Sequence, residues 1–197
     1  MNRRYKAVFL DRDGTISVEK GYIKNALDLE LIDKAGEALF ELMQNDFKLI
    51  VITNQAGVAR GYFTEKEVKE VNNRLEKLLD EKNVRLDSIY YCPHYPDPDK
   101  AVVKEYLADC KCRKPGTANV LKAAEDNSID LSRSFFIGDK MSDIGCGNNA
   151  GMRSVLVRTG YGREEEKKLR ELEESEQPDK YADDLYSAVK WIMENFE

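Results

Sequence analysis

Short apolar runs alternate with stretches of helical periodicity, and several runs end in a polar cluster. This pattern most limits what the chain can fold into. Ala7 to Leu10, Leu49 to Ile52, Ser88 to Tyr91, Phe135 to Ile137 and Val155 to Val157 each read as a buried strand. Between them, 3.6-residue periodicity runs over roughly Lys34 to Gln44, Thr64 to Lys82, Thr117 to Asn127 and Met141 to Ala150. Strands alternating with helices imply an α/β fold, a central parallel sheet with helices on both faces. Thr64 followed by Glu67 is a capping-box signal for the second helix. The charged stretch Arg163 to Gln177 is expected as a solvated helix. Tyr181 to Phe196 is expected as a terminal amphipathic helix, with Leu185, Val189, Trp191 and Ile192 facing inward. Without a repeat or a dividing linker, a single domain over 1–197 is expected, with 92–112 as an inserted loop.

Charge narrows the function classes. A net charge of −6 argues against a general affinity for nucleic acid, which needs a dominant basic face. No apolar run reaches the length of a signal-peptide core or a membrane span, so a cytoplasmic protein without membrane attachment is expected. In a reducing compartment the four cysteines suit metal ligation or free thiols better than disulfides. A monomer acting on a small molecule is the expected working form.

The polar clusters carry the chemistry. Asp11-Arg12-Asp13-Gly14-Thr15 follows the first strand, where an open parallel sheet places its ligands. Two carboxylates at this spacing can share a divalent cation, and magnesium prefers hard oxygen donors beside phosphate. Asp11 can then act as nucleophile on phosphorus and Asp13 as general acid and base. A plain Asp-Gly turn closing a strand is the bland alternative. Thr53-Asn54-Gln55-Ala56-Gly57 after the second strand suits a phosphate cradle, and Lys114 offers an ammonium to the same phosphate. Arg113 can hold another anionic group bidentately. Gly138-Asp139-Lys140 follows the fourth strand, and Asp143 lies one helical turn past Asp139, on the same side. Asp11, Asp13, Asp139 and Asp143 are therefore the expected magnesium ligands.

Between Cys92 and Cys112 lies an irregular, proline-bearing loop. Cys92, His94, Cys110 and Cys112 supply three thiols and the chain's only histidine, a donor set known for closed structural zinc sites. Scattered packing cysteines beside a solvent histidine are the alternative. Arg113 and Lys114 directly follow the last of these donors, so a zinc ion here would aim two cations at substrate and leave no open position for catalysis. Cys146, in the helix after Asp143, reads as a small packing residue.

Together, DxDGT at Asp11, the Thr53 segment, Lys114 and GDxxxD at Asp139 resemble the haloacid dehalogenase (HAD) superfamily of phosphatases. The resemblance implies a Rossmann-like fold without a large cap domain, and roles for Asp11 (nucleophile), Asp13 (acid/base), Thr53 and Lys114 (phosphate binding). CPH with CxCRKP, TNQAGVARG and GDK narrow it to the heptose 1,7-bisphosphate phosphatase group, related to histidinol-phosphate phosphatases. The match covers about Ala7 to Gly160. It implies magnesium and zinc as cofactors and a small sugar phosphate as substrate. It also implies substrate contacts from Glu19, Lys20, Gly21 and Tyr22, from Asn54, Gln55, Ala56 and Arg113, and from Lys140. Arg60 lies near the same edge, where anchoring its own turn is an equal alternative. A histidinol-phosphate phosphatase shares nearly every motif. A DNA 3′-phosphatase lacks support from the acidic balance, and a receiver-type binding module lacks an acid matching Asp13.

Overall fold

The computed structural model describes residues 4–196. Six strands form one wholly parallel sheet: β1 (Ala7–Leu10), β2 (Lys48–Asn54), β3 (Ser88–Cys92), β4 (Phe135–Gly138), β5 (Arg153–Val157) and β6 (Lys180–Ala182). The spatial order is β3-β2-β1-β4-β5-β6, so the chain winds outward from β1 in one direction and from β4 in the other. The helices are α1 (Ala35–Gln44), α2 (Glu65–Asp80), α3 (Ala118–Asp126), α4 (Met141–Asn149), α5 (Gly162–Leu169) and α6 (Leu185–Asn195).

Successive strand residues point to opposite faces, and both faces are covered. Val8 and Leu10 join Leu49, Val51, Phe135 and Ile137 beneath α1, α2 and α6. Ala7 and Phe9 join Ile50, Ile52 and Phe136 against Val120 and Ala123 of α3 and Cys146 of α4. This two-sided burial explains why the strands read as continuous apolar runs. Cys146 is buried there as the expected packing residue.

The helix starts follow local chemistry. Thr64 caps α2 with a reciprocal Glu67 box, as its spacing implied. Asp184 caps α6 by accepting from Ser187 N at 2.7 Å, a bond worth ~1 kcal/mol. Leu185, Val189 and Ile192 face the core as expected, and Trp191 packs partly buried against it.

Two expectations fail at the far end of the chain. Tyr181 and Ala182 leave the anticipated terminal helix and join Lys180 in β6, because they pair with Leu156 and Val157 of β5. The anticipated helix over 163–177 stops at Leu169. Asn148 then donates its amide to the carbonyls of Ser175 and Gln177, drawing that segment into a turn against α4. No helix among the described residues is long and apolar enough to cross a membrane.

Candidate active site

Strand order reverses between β1 and β4, and their carboxyl ends open a crevice there. Asp11 leaves β1 into it, its N–H donating to Ile137 O of β4 at 3.0 Å. Asp139 leaves β4 beside it, and Asp143 stands in the first turn of α4, accepting from Lys140 N at 3.0 Å. The carboxylates of Asp11, Asp139 and Asp143 converge, with their donor atoms within 4.8 Å of one another. Gly14 and Gly160 make room for Asp139: both have positive φ, +90° and +54°, and a Cβ on either would fall 2.2 Å from Asp139 Oδ2. Tyr161 N donates to that same oxygen at 2.9 Å.

Lys114 is the counter-ion. It is buried, donating from Nζ to Asp11 Oδ1 at 2.7 Å and to Ile52 O at 2.6 Å. The same Nζ lies 2.7 Å from Asp143 Oδ1, an ionic approach without hydrogen-bond alignment. Burial works against its charge, but Asp11 and Asp143 outweigh burial and raise its pKa. Asn54 fixes the lysine's backbone from both sides, accepting from Lys114 N at 3.0 Å and donating to Lys114 O at 3.2 Å.

The three acids are unequal. Burial, then the neighbouring charges of Asp11 and Asp143, push Asp139 up to about 8. Burial also raises Asp143, against the field of Lys114. Oδ1 of each is buried without a hydrogen-bond partner. Three converging hard oxygen donors, with Asp139 Oδ1 left without a hydrogen-bond partner, fit a magnesium ion. The sequence grouped Asp13 with these ligands, but its carboxylate stands outside the converging group. Arg12 grips it with Nε at 3.0 Å and Nη2 at 2.7 Å, Gln55 Nε2 reaches it at 3.0 Å, and Ser17 Oγ at 3.3 Å. Burial would raise the Asp13 pKa, but Arg12, helped by Gln55, holds it below the usual carboxylate value.

Gln55 also donates to Thr53 Oγ1 at 2.9 Å, linking the hydroxyl at the end of β2 to Asp13. Asp11, Asp13, Thr53, Asn54, Gln55, Ala56 and Lys114 all face one cleft of about 300 Å³. Glu19, Gly21, Tyr22, Arg60, Arg113, Lys140 and Asp143 also line it. Glu19 serves its neighbours, accepting from Gly21 N at 2.7 Å and from Lys140 Nζ at 3.1 Å. Lys20 is the exception. Its ammonium turns away to Asp28 O at 2.9 Å and Glu30 at 2.7 Å, because those acceptors lie in the loop it belongs to.

The structure adds residues the sequence reading did not single out. Arg12 is 1% exposed and ties Asp13 to Asn72 of α2; its place between the two aspartates was the available signal. Tyr95 and Tyr161 line the cleft, Tyr161 from the carboxyl edge of the fifth strand and Tyr95 directly after His94.

The cysteine loop ends beside this cleft. Cys92, His94, Cys110 and Cys112 present four donors within 4.8 Å of one another, sulfur to sulfur 3.1–3.4 Å and His94 Nδ1 to Cys112 Sγ 3.4 Å. This convergence of soft donors fits a zinc ion. Tyr91 and Tyr106 both donate to Glu65 of α2, at 2.9 and 3.1 Å, bracing the loop against the sheet.

The HAD-hydrolase-like family profile matches residues 111–188. A D-glycero-D-manno-heptose-1,7-bisphosphate 7-phosphatase of Chlorobaculum tepidum is 43% identical, over 93% of this chain and 92% of its own. A D-glycero-beta-D-manno-heptose-1,7-bisphosphate 7-phosphatase of Haemophilus ducreyi is 43% identical, over 79% of this chain and 84% of its own. A crystal structure of the D,D-heptose 1,7-bisphosphate phosphatase of B. bronchiseptica, complexed with magnesium and phosphate, superposes with a TM-score of 0.82. That protein is 26% identical, with 96% of this chain and 98% of the other covered. Likeness over nearly the full length, on a HAD-like fold, shows a phosphatase that belongs to the D-glycero-D-manno-heptose-1,7-bisphosphate 7-phosphatase family.

Proposed function

We propose that this phosphatase removes the 7-phosphate of D-glycero-D-manno-heptose 1,7-bisphosphate through a phosphoryl group carried on Asp11. Asp11, Asp139 and Asp143 would hold magnesium, and Cys92, His94, Cys110 and Cys112 a structural zinc. Magnesium, when bound, supplies positive charge against the phosphate and against the crowded carboxylates.

Asp11 attacks phosphorus, an Asp11–O–P bond forms, and the bond from phosphorus to the sugar oxygen breaks. Asp13 gives that leaving oxygen its proton. In the resting site Arg12 holds Asp13 ionised, so it must take up a proton as substrate arrives. An incoming phosphate works in that direction, because a second anion beside the carboxylate opposes the field of Arg12. Once the sugar departs, Asp13 is again a carboxylate and can accept the proton of the attacking water, releasing inorganic phosphate and restoring Asp11. Lys114 and Thr53 hold the transferring phosphate, and Gln55 keeps Thr53 and Asp13 in fixed relation.

The observation that carries the reading is a pair of arginines in the cleft. Arg60 and Arg113 line the same cleft as Asp11, and both have a buried N–H without an acceptor. A bisphosphate places its second anion there, which a histidinol phosphate does not. The test is kcat/KM for both anomers of the heptose bisphosphate, the heptose 7-phosphate and histidinol phosphate, with magnesium present. The bisphosphate is expected to lead histidinol phosphate by at least ~100-fold, since unpaired buried donors reject a ligand lacking their acceptor. Equal or better turnover of histidinol phosphate would transfer the assignment to that substrate.

A further inference from the structure

We propose that Tyr95 is a positioning residue for substrate choice: its ring holds Arg60 and Arg113 together as the reader of a second phosphate. The proposal rests on reading the cleft as a bisphosphate site, and goes beyond it in naming what builds the reader.

The two arginines come from distant parts of the chain. Arg60 sits in the turn after β2, and Arg113 directly follows Cys112. Tyr95 touches both. The guanidinium carbon of Arg60 lies 4.3 Å from the Tyr95 ring centroid, and that of Arg113 lies 5.0 Å from it. Two cations on one wall repel each other, and the negative face of an aromatic ring attracts each of them. Stacking also orients a guanidinium while leaving its in-plane donors free. Arg60 Nε and Arg113 Nη1 are buried without a hydrogen-bond partner, which an incoming dianion would relieve.

The ring itself is held by the backbone. Tyr95 N donates to Tyr106 O at 3.1 Å, and Ala108 N donates to Tyr95 O at 3.3 Å. The Arg60 turn is stitched to the same loop, with Ala59 N donating to Pro93 O at 3.3 Å and Val103 N to Ala59 O at 2.9 Å. Tyr95 is only half-buried and faces the cleft, so packing alone does not call for an aromatic ring there. The consequence is a division of labour. Thr53 and Lys114 take any phosphate monoester, and the arginine pair selects those carrying another phosphate.

The ratio of kcat/KM for heptose 1,7-bisphosphate to that for heptose 7-phosphate separates the two functions. In Tyr95→Leu that ratio is expected to fall at least ~10-fold, mainly through KM for the bisphosphate, since two ring–cation contacts are lost. Tyr95→Phe keeps the ring and is expected to retain the ratio. Should Tyr95→Leu fail to fold or lose zinc by elemental analysis, Tyr95→Met serves in its place. An unchanged ratio in the Leu or Met variant, or an equal loss in Tyr95→Phe, would overturn the role of the ring. Arg113→Ala is the control for the underlying reading. If it collapses the ratio while Tyr95→Leu does not, only Tyr95 is wrong; if it leaves the ratio unchanged, the second-phosphate reading itself falls.

Discussion

Asp139 shows how the site stores its demand for a cation. It is 0% exposed, hemmed in by Gly14 and Gly160, and raised to about 8 by burial and by Asp11 and Asp143. Both influences favour its protonated form. A carboxyl whose pKa is higher folded than unfolded binds its proton more tightly in the native state. Its stabilising effect is therefore present at low pH and is lost as pH rises from the unfolded value towards about 8. Asp143 is shifted in the same direction. Asp13, shifted the other way, is ionised in both states above mildly acid pH and contributes no slope there. Zinc-loaded, magnesium-free protein is thus expected to melt at lower temperature as pH rises from about 5.5 to 8. Magnesium should remove that slope by replacing the proton, and Asp139→Asn should lessen it without magnesium, leaving the part due to Asp143. Thermal melts across that range check this, and a flat profile in magnesium-free protein would contradict it.

At the scale of elements, the proposed substrate recognition hangs on the cysteine loop. It carries Tyr95, delivers Arg113 and Lys114, and is pinned by Glu65 and by the turn at Ala59. It also has few buried apolar residues of its own, Ala101 among them, and the proposed zinc would stand in for a core. Cys110→Ser is expected to lower bound zinc and raise KM several-fold or more, with a smaller effect on kcat, because Asp11 and Asp139 are held at the ends of β1 and β4, outside the loop. Zinc content by elemental analysis and steady-state kinetics check this together. The elements that build the site were legible in the sequence for a physical reason. Strands buried on both faces are apolar throughout, and the polar residues that interrupt them, Asp11, Thr53 and Asp139, mark the carboxyl edge. What was not legible depended on pairing at a distance. Three residues of β6 carry no period and exist through their bonds to β5. The segment after α5 is drawn against α4 by Asn148, more than twenty residues earlier. Lys20 was drawn into the site by the motif around it, yet closer acceptors in its own loop claim its ammonium. The grip of Arg12 on the Asp13 side chain, between the two acids, was likewise not legible from spacing.

For the whole molecule, topology places the chemistry. Winding outward in two directions from β1 and β4 leaves a gap at their carboxyl ends, and each arm fills part of it. The β1-β2-β3 arm contributes Asp11, Asp13, Thr53, Arg60 from the turn after β2 and, through the loop after β3, Arg113 and Lys114. The β4-β5-β6 arm contributes Asp139, Asp143 and the Gly160–Tyr161 turn that closes over Asp139. Neither arm alone holds all three converging acids, so the site forms only when both arms of the sheet are paired. The point on which this rests is transfer of the phosphoryl group to Asp11. Enzyme quenched in acid during turnover and reduced with borohydride converts an aspartyl phosphate to homoserine, which peptide mass spectrometry locates. Homoserine is expected at position 11, with Asp11→Asn losing both the label and at least ~1,000-fold in kcat; homoserine at another position, or near-normal turnover in Asp11→Asn, would contradict it.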